Sequence, residues 1–376
     1  RQENYENRPY GLLYERVKEA LYPEGHPYSW STIGHIEDLN RVDVNDLKKF
    51  FLRWYGPNNA TLTIGGDFDE SITKEWIVKY FGSIPKGPNV KPPEKTDVTL
   101  SENRYISLED RVHLPLLHIA FPTVHLFHPD EAPLDVLMFA LGRGETSVLY
   151  KNMVKNQIAV QATANHGCLE LACTFAITAL PNPAAGNTLT DIERIARDSL
   201  AEFESRGITN DDVERVKTNI ISGMIYGLES VAGKVSQLAQ YQTYTKQPDY
   251  MRADIMRYQN VSPDDVMRVY KKYIKNKPAV IMSVVPQEAL QLRTRSDTWT
   301  RYERKLPKHE PVTDLSIRRG YDEFDRSIIP PSGKNPEIRL PEIWQAELSN
   351  GIRVLGTQNL ETPTTSLALR IEAGQR

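Results

Sequence analysis

Asp43-Val-Asn-Asp-Leu-Lys-Lys-Phe-Phe-Leu-Arg-Trp54 and Ser262-Pro-Asp-Asp-Val-Met-Arg-Val-Tyr-Lys-Lys-Tyr273 are two versions of one pattern. In the first, Leu47, Phe50, Phe51 and Trp54 fall at i, i+3, i+4 and i+7, the stripe of an amphipathic helix. Asp43 with Asp46 reads as its N-terminal cap, and Gly56-Pro57 ends it. In the second, Ser262 caps, Pro263 takes the first helical position, and Val266, Val269, Tyr270 and Tyr273 repeat the stripe. Each is followed by an alternating segment that reads as a strand, Ala60–Ile64 and Ala279–Val285. An offset of 219 residues carries Val42 to Val261, Asp46 to Asp265 and Trp54 to Tyr273. The expectation is two similar α/β units in tandem, each closing with the same helix and strand.

Between the copies lies material for one whole domain. Arg104–Leu108 and Leu114–Phe121 read as strands, and a helix begins at Asp135, is interrupted at Gly142-Arg-Gly144, and resumes over Ser147–Val154. Ala159–Ala179 reads as two strands. Helices follow over Thr190–Ser205 and from Thr209 to Thr245, the latter broken at Gly227 and Gly233. Helices set apart from an antiparallel-leaning sheet define an α+β class. Gln291–Pro341, rich in Arg, Lys, Thr and Pro, reads as a linker over the surface. Trp344–Leu355 then reads as a hairpin turning at Asn350-Gly351, and Thr364–Ile371 as a further strand.

Composition bounds the function without naming it. With 376 residues, 40% hydrophobic and 25% charged, the chain can bury the cores of two domains or slightly more. A net charge of −3 gives no reason to expect a nucleic-acid or anionic-membrane partner. No apolar run approaches the ~20 residues that span a bilayer. Cys168 and Cys173 read as members of one strand at odd spacing, so their side chains should face opposite ways and form no disulfide.

Four further stretches occur in order near the start: Arg1–Gly11 (Arg-Gln-Glu-Asn-Tyr-Glu-Asn-Arg-Pro-Tyr-Gly), Tyr22-Pro-Glu-Gly-His-Pro-Tyr28, Thr32-Ile-Gly34, and Tyr55–Asp67. Together with Leu141-Gly-Arg-Gly144 and the Leu348-Ser-Asn-Gly-Ile-Arg-Val354 hairpin, this series resembles the bacterial M16 zinc metallopeptidases, the pitrilysin, insulinase and processing-peptidase superfamily. The resemblance implies tandem M16-type domains of metallopeptidase-like, ferredoxin-like-related α+β fold, one complete and flanked by partial copies. The boundaries are 1–95 for the later part of a first domain, 96–290 for the complete second, 291–341 for a linker and 342–376 for the opening strands of a third. It further implies a zinc endopeptidase acting on peptides in a closed chamber, paired with another M16 half or subunit. A non-catalytic subunit that binds peptides beside an active one is the alternative. Similarity to Gram-negative members suggests a periplasmic home. The family's His-x-x-Glu-His motif occurs nowhere in the sequence. By resemblance it lies upstream of Arg1, with the third ligand, a Glu, just ahead of Arg1. Zinc therefore belongs to the parent protein, and none is expected in this chain.

No residue of the chain is assigned a catalytic, cofactor or metal role. His113, His118, His125 and His128 fall within sixteen residues, but His113 and His118 should face opposite ways, and His125-x-x-His128 sits in a turn without a partner carboxylate or Cys. His26 and His35 read as packing residues, and Glu3 and Glu6 cannot hold zinc alone. His166 and Glu170 should share a strand face without a third ligand. Leu141–Ser147 lacks the ending of a phosphate loop, and Val148 stands where the M16 pattern has Arg. The segment to Pro85 should leave a sheet edge and an apolar face uncovered, which the tail strands from Ile343 onward would complete, within one chain or in a strand-swapped dimer.

Overall fold

The computed structural model describes residues 1–306, 308, 312, 315–329, 331–333 and 341–374. The chain divides into two compact units. One comprises Arg1–Phe50, Lys91–Ile220 and Met251–Leu315; the other comprises Phe51–Val90, Ile221–Tyr250 and Ser316–Arg376. The elements in chain order are α1 (Leu13–Leu21), α2 (Ile36–Leu39), α3 (Val44–Trp54), α4 (Glu70–Phe81), β1 (Arg104–Asp110), β2 (Leu116–Pro122) and α5 (Glu131–Gly142). They continue with β3 (Ala159–Cys168), β4 (Cys173–Pro181), α6 (Leu189–Arg206), α7 (Asn210–Tyr226), α8 (Val231–Thr245), α9 (Met251–Gln259), α10 (Pro263–Tyr273), β5 (Val280–Pro286), β6 (Ile343–Glu347) and β7 (Arg353–Thr357). The class is α+β. Among the described residues no helix is long and apolar enough to cross a membrane.

The first unit is built on a five-stranded sheet in the order β1-β5-β2-β4-β3. β1 and β5 run parallel, and every other neighbour is antiparallel. β5 is the last of these strands in sequence and sits inside the sheet, so its Val280–Val285 run is buried on both faces. Period-2 alternation sends Leu116, Ala120, Val280, Met282 and Val284 to one face, where Leu13, Val17, Ala20 and Leu21 of α1 cover them. Their neighbours Leu117, Ile119 and Ile281 are buried on the other side. There α6 lies on β2 and β4, and α5 on β3 and β4. α10 locks onto α6: the Tyr270 hydroxyl donates to the Leu200 carbonyl at 2.8 Å and its ring meets Phe203 edge-on.

Both helices of the repeat form, and both are capped in the same way. In α10 the Ser262 hydroxyl accepts from the Asp265 N–H while the Asp265 carboxylate accepts from the Ser262 N–H. In α3 Asp43 and Asp46 make the same reciprocal pair, at 2.9 and 3.1 Å. The stripes then diverge. Val266, Val269 and Tyr270 are buried, whereas Leu47, Phe50 and Phe51 are each more than half exposed.

In the second unit, α4 is capped by Asp69, whose carboxylate accepts from the Ile72 N–H at 2.9 Å. Linker residues are strapped onto this part by two arginines. Arg318 donates to the carbonyls of Leu52 and Lys86, and Arg326 to that of Tyr80. Residues 307, 309–311, 313–314, 330 and 334–340 of the expected linker lie outside the described residues. β6 and β7 form the expected hairpin, with Gly351 at φ +87°. They pair only with each other among the described residues.

Two expected strands are corrected here. Ala60–Ile64 and Thr364–Ile371 alternate as strands should, but neither joins a ladder. Alternation specifies a face; a strand also needs a neighbour for its N–H and C=O groups, and no described segment supplies one. The tail consequently does not complete a sheet with 60–64 within the chain. Instead Lys234 pairs with Glu361, and the Thr364 hydroxyl donates to Glu229, both at 2.7 Å.

The repeat pair Leu47 and Val266 gives a direct test of how burial separates equal patterns. Val266→Ala should cost about 2 kcal/mol of unfolding free energy by cavity formation, and Leu47→Ala less than about 0.5, measured by urea denaturation followed by circular dichroism.

Candidate functional site

The interruption at Gly142–Gly144 is a close approach between helix and sheet. A Cβ on Gly142 would stand 2.0 Å from the Ala164 backbone nitrogen, so α5 reaches β3 only because the residue is glycine. Gly144 takes φ +80°, and the Ser147 hydroxyl donates to its carbonyl at 2.8 Å. Beside this loop lies a cleft of about 630 Å³ whose lining includes Arg143, Lys151, Arg206 and Arg215 against one acid, Asp212. Arg215 is held by Asp212 and by the Thr146 hydroxyl, each at 2.7 Å. The charge favours carboxylates, while the glycines shape a turn that approaches no phosphate-binding pattern.

The clustered histidines are dispersed into separate structural duties. His113 is exposed. His118, deep in β2, bonds the Thr178 hydroxyl at 2.8 Å, and burial lowers its pKa to about 4, so it stays neutral. His125 and His128 meet edge to face with centroids 5.3 Å apart. The Nδ1 atoms of both are engaged by backbone, His125 with the Leu126 carbonyl and His128 with the Asp130 N–H. His26 stacks on Tyr22 at 4.7 Å and its Nδ1 accepts the Tyr28 N–H; burial lowers its pKa. His35 precedes α2 and makes no side-chain cap there. Glu6 pairs with Arg1 at 2.8 Å, and Glu3 is exposed. Arg1 also clasps buried Glu15 through two bonds of 2.7 and 2.8 Å. Among the described residues these groups do not converge on one another, and the sequence holds no His-x-x-Glu-His to supply a zinc site of that type.

One cluster does converge, and its reading corrects two expectations. Cys168 and Cys173 are not on one strand. They are the final facing pair of the β3–β4 ladder, and a disulfide joins them. The alternation rule holds within a strand, but the chain reverses through Leu169–Ala172, so residues five apart end up opposite each other. Cys-Leu-Glu-Leu-Ala-Cys contains no Gly, Pro or Asn to announce that turn. Glu170 lies in the turn and not on the face of His166. His166 is enclosed instead by Asp135, whose carboxylate meets Nδ1 at 2.7 Å, and by the Thr123 hydroxyl, 3.1 Å from Nε2. The Cys168 sulfur stands 3.7 Å from Nε2. Among the described residues, His166, Cys168 and Cys173 are the one group of three such side chains whose ligand atoms approach closely, within 4.8 Å of one another.

The start of α5 gathers charge beneath it. Asp130 is buried, yet it accepts from Arg268 at 2.6 Å, Lys272 at 2.9 Å and Tyr273 at 2.7 Å. Burial alone would raise its pKa; the three donors and the Arg268 charge outweigh it and bring the value to about 2. Glu131 next to it is raised by burial despite Arg257 at 2.9 Å. Asp135, one turn on, also accepts the Tyr258 hydroxyl at 2.7 Å.

The geometry is that of an α+β domain with a glycine-broken helix packed against its sheet. Residues 41–220 match the family model described as Peptidase M16 inactive domain. The zinc protease PqqE of Helicobacter pylori is 27% identical over 292 residues, 75% of this chain and 63% of that protein. The crystal structure of a protease from Helicobacter pylori superposes with a TM-score of 0.67 at 25% identity, covering 76% of this chain and 69% of that one. A peptidase M16 inactive domain from Pseudomonas fluorescens shares the fold, with a TM-score of 0.66 at 19% identity over 76% of this chain and 68% of that one. The chain is thus similar to M16 peptidases, and its sequence contains no His-x-x-Glu-His. It spans less than two thirds of the length of the curated relatives it matches.

Asp130 sets the acid limb of stability. Its carboxyl is lowered from 3.8 to about 2 on folding, so the stability it lends is complete above pH 3.8 and lost as pH falls towards 2. Asp130→Asn should remove about 2–3 kcal/mol at pH 7 and flatten the dependence of unfolding free energy between pH 4 and 2, read by urea titration across that range.

Proposed function

We propose that this chain forms the non-catalytic wall of an M16 zinc metalloendopeptidase, with peptide hydrolysis carried by zinc-ligating residues outside these 376. The observation that supports this most is the coincidence of the inactive-domain match with the absence of His-x-x-Glu-His from the sequence. The chain's part is to face a bound peptide and to pair with a catalytic M16 half or subunit, as family members pair with one another. The arginine-rich cleft beside Gly142–Gly144 supports the peptide-facing part of this reading, because it offers cations and backbone at one unit's surface. The zinc proteases among its relatives favour a place in a zinc enzyme. A free-standing subunit beside an active partner is the second reading, favoured by the fully formed sheet of the first unit.

The purified chain with its disulfide closed should carry less than stoichiometric zinc by elemental analysis and show no chelator-sensitive cleavage of unfolded peptides. Either zinc at one per chain or such cleavage would overturn the reading. Adding a catalytic M16 half should restore cleavage if the chain is a wall of that enzyme.

Exchange of strands between two copies is the partner reading carried by exposed Leu62 and Ile64 and by Leu367, Leu369 and Ile371, all of them open. It calls for a concentration-dependent dimer in sedimentation velocity, lost on deletion of 342–376. A monomer throughout the micromolar range would end it.

A further inference from the structure

The disulfide at the end of the β3–β4 hairpin sits against a histidine that is already oriented as a metal ligand would be. The His166 side chain is fully buried, and the carboxylate of Asp135 takes its Nδ1 at 2.7 Å. An ionised carboxylate only accepts, so the ring proton resides on Nδ1 and the Nε2 lone pair faces the Thr123 hydroxyl and the Cys168 sulfur. Asp135 is fixed in turn by the Tyr258 hydroxyl at 2.7 Å. A carboxylate holding the far nitrogen is the arrangement that sets tautomer and ring angle in metal-bound histidines. Nε2 lies 3.7 Å from the Cys168 sulfur. From ordinary Zn–S and Zn–N bond lengths, sulfur and nitrogen on one tetrahedral zinc lie about 3.6 Å apart. The Thr123 hydroxyl, at 3.1 Å, is the one contact that Nε2 would give up.

We propose that reduction of the Cys168–Cys173 disulfide converts this cluster into a Cys-Cys-His site for one zinc-class divalent cation. The reductant is a dithiol. Its thiolate attacks Sγ of Cys168, the partly accessible member of the pair, and breaks the S–S bond; the Cys173 thiolate leaves. The reductant's second thiol then displaces Cys168 from the mixed disulfide and the reductant becomes a disulfide. Two electrons enter the protein, and two protons are taken up when both sulfurs become thiols. Metal binding to both thiolates and to the Nε2 lone pair releases those two protons again. The fourth position is open to water. The oxidised hairpin is closed to metal because its sulfurs are spent on each other, so the site is a redox-gated one. It rests on this cluster alone and stands or falls independently of the peptidase reading.

The experiment is Co²⁺ titration of the whole chain, oxidised and after treatment with a non-thiol phosphine reductant, followed by back-titration with Zn²⁺. The reduced chain should take one Co²⁺, with a thiolate-to-cobalt band in the near ultraviolet and visible bands of tetrahedral form, and release it to Zn²⁺; the oxidised chain should take none. Cys173→Ser should abolish the thiolate band. Asp135→Asn should weaken Co²⁺ about 10–100-fold, and His166→Ala at least as much, with folding checked by circular dichroism. Should Asp135→Asn unfold the chain, Tyr258→Phe, which frees only the outer bond, should still weaken binding measurably. Absence of stoichiometric uptake by the reduced chain would overturn the proposal. So would equal uptake by the oxidised chain, or uptake unaffected by both His166→Ala and Cys173→Ser.

Discussion

The insertion of β5 between β1 and β2 is the constraint on which the first unit depends. Among the described residues β1 reaches the rest of the sheet only through β5, its ladder partner over Val280–Pro286. Roughly a hundred residues of helices and their connections separate β4 from that strand, so the sheet stays incomplete until the end of the domain is in place. An interior strand must be apolar on both faces. Val-Ile-Met-Ser-Val-Val meets that demand, and its single polar side chain, Ser283, is satisfied at Thr294 through its hydroxyl. α1 is recruited by the same requirement, because Met282 and Val284 would otherwise face water on one side.

How much of this was legible depended on which signals are local. Caps and stripes are local, and α3, α6 and α10 fall within a residue or two of where they were expected. The N-cap of α6 is Thr188, in a full capping box with Asp191, one residue before the first helical position. Both break points, Gly227 and Gly233, fall at the gap between α7 and α8 or just inside the latter. Strand pairing is not local. Ala60–Ile64 and Thr364–Ile371 carry the alternation of strands, yet the ladder that would make them so depends on neighbours that a pattern cannot name. The disulfide escapes the pattern for the same reason, since five residues along one strand and five residues around a turn place their side chains differently.

The histidine reading shows the limit of counting ligand types in a window. Four histidines within sixteen residues suggest a site only by density; His113 is exposed, and His118, His125 and His128 each make a separate bond, with a threonine, a backbone carbonyl and an amide respectively. The group that does converge draws on α5, β3 and β4, with Asp135 thirty-one residues from His166. Only the antiparallel register, which places His166 against Phe175 and Cys168 against Cys173, brings them together. Convergence across strands carries information that spacing within one segment does not.

Three carboxylates at the start of α5 show how environment and not residue type decides a role. Asp130 is buried among three donors, so its charge is the cheaper state and it acts as a tie between α5 and α10. Glu131 is buried with one arginine and one backbone N–H, and burial wins, holding its carboxyl above the usual range. Asp135, four residues further along the same helix, faces β3 and is committed to His166 and Tyr258. At the other end of the same helix, Gly142 lies so close to Ala164 that a side chain there would clash with β3. One helix therefore carries both the glycine that lets it lie against β3 and the carboxylate that meets the β3 histidine, so the packing of the loop and the chemistry available at the hairpin share one element.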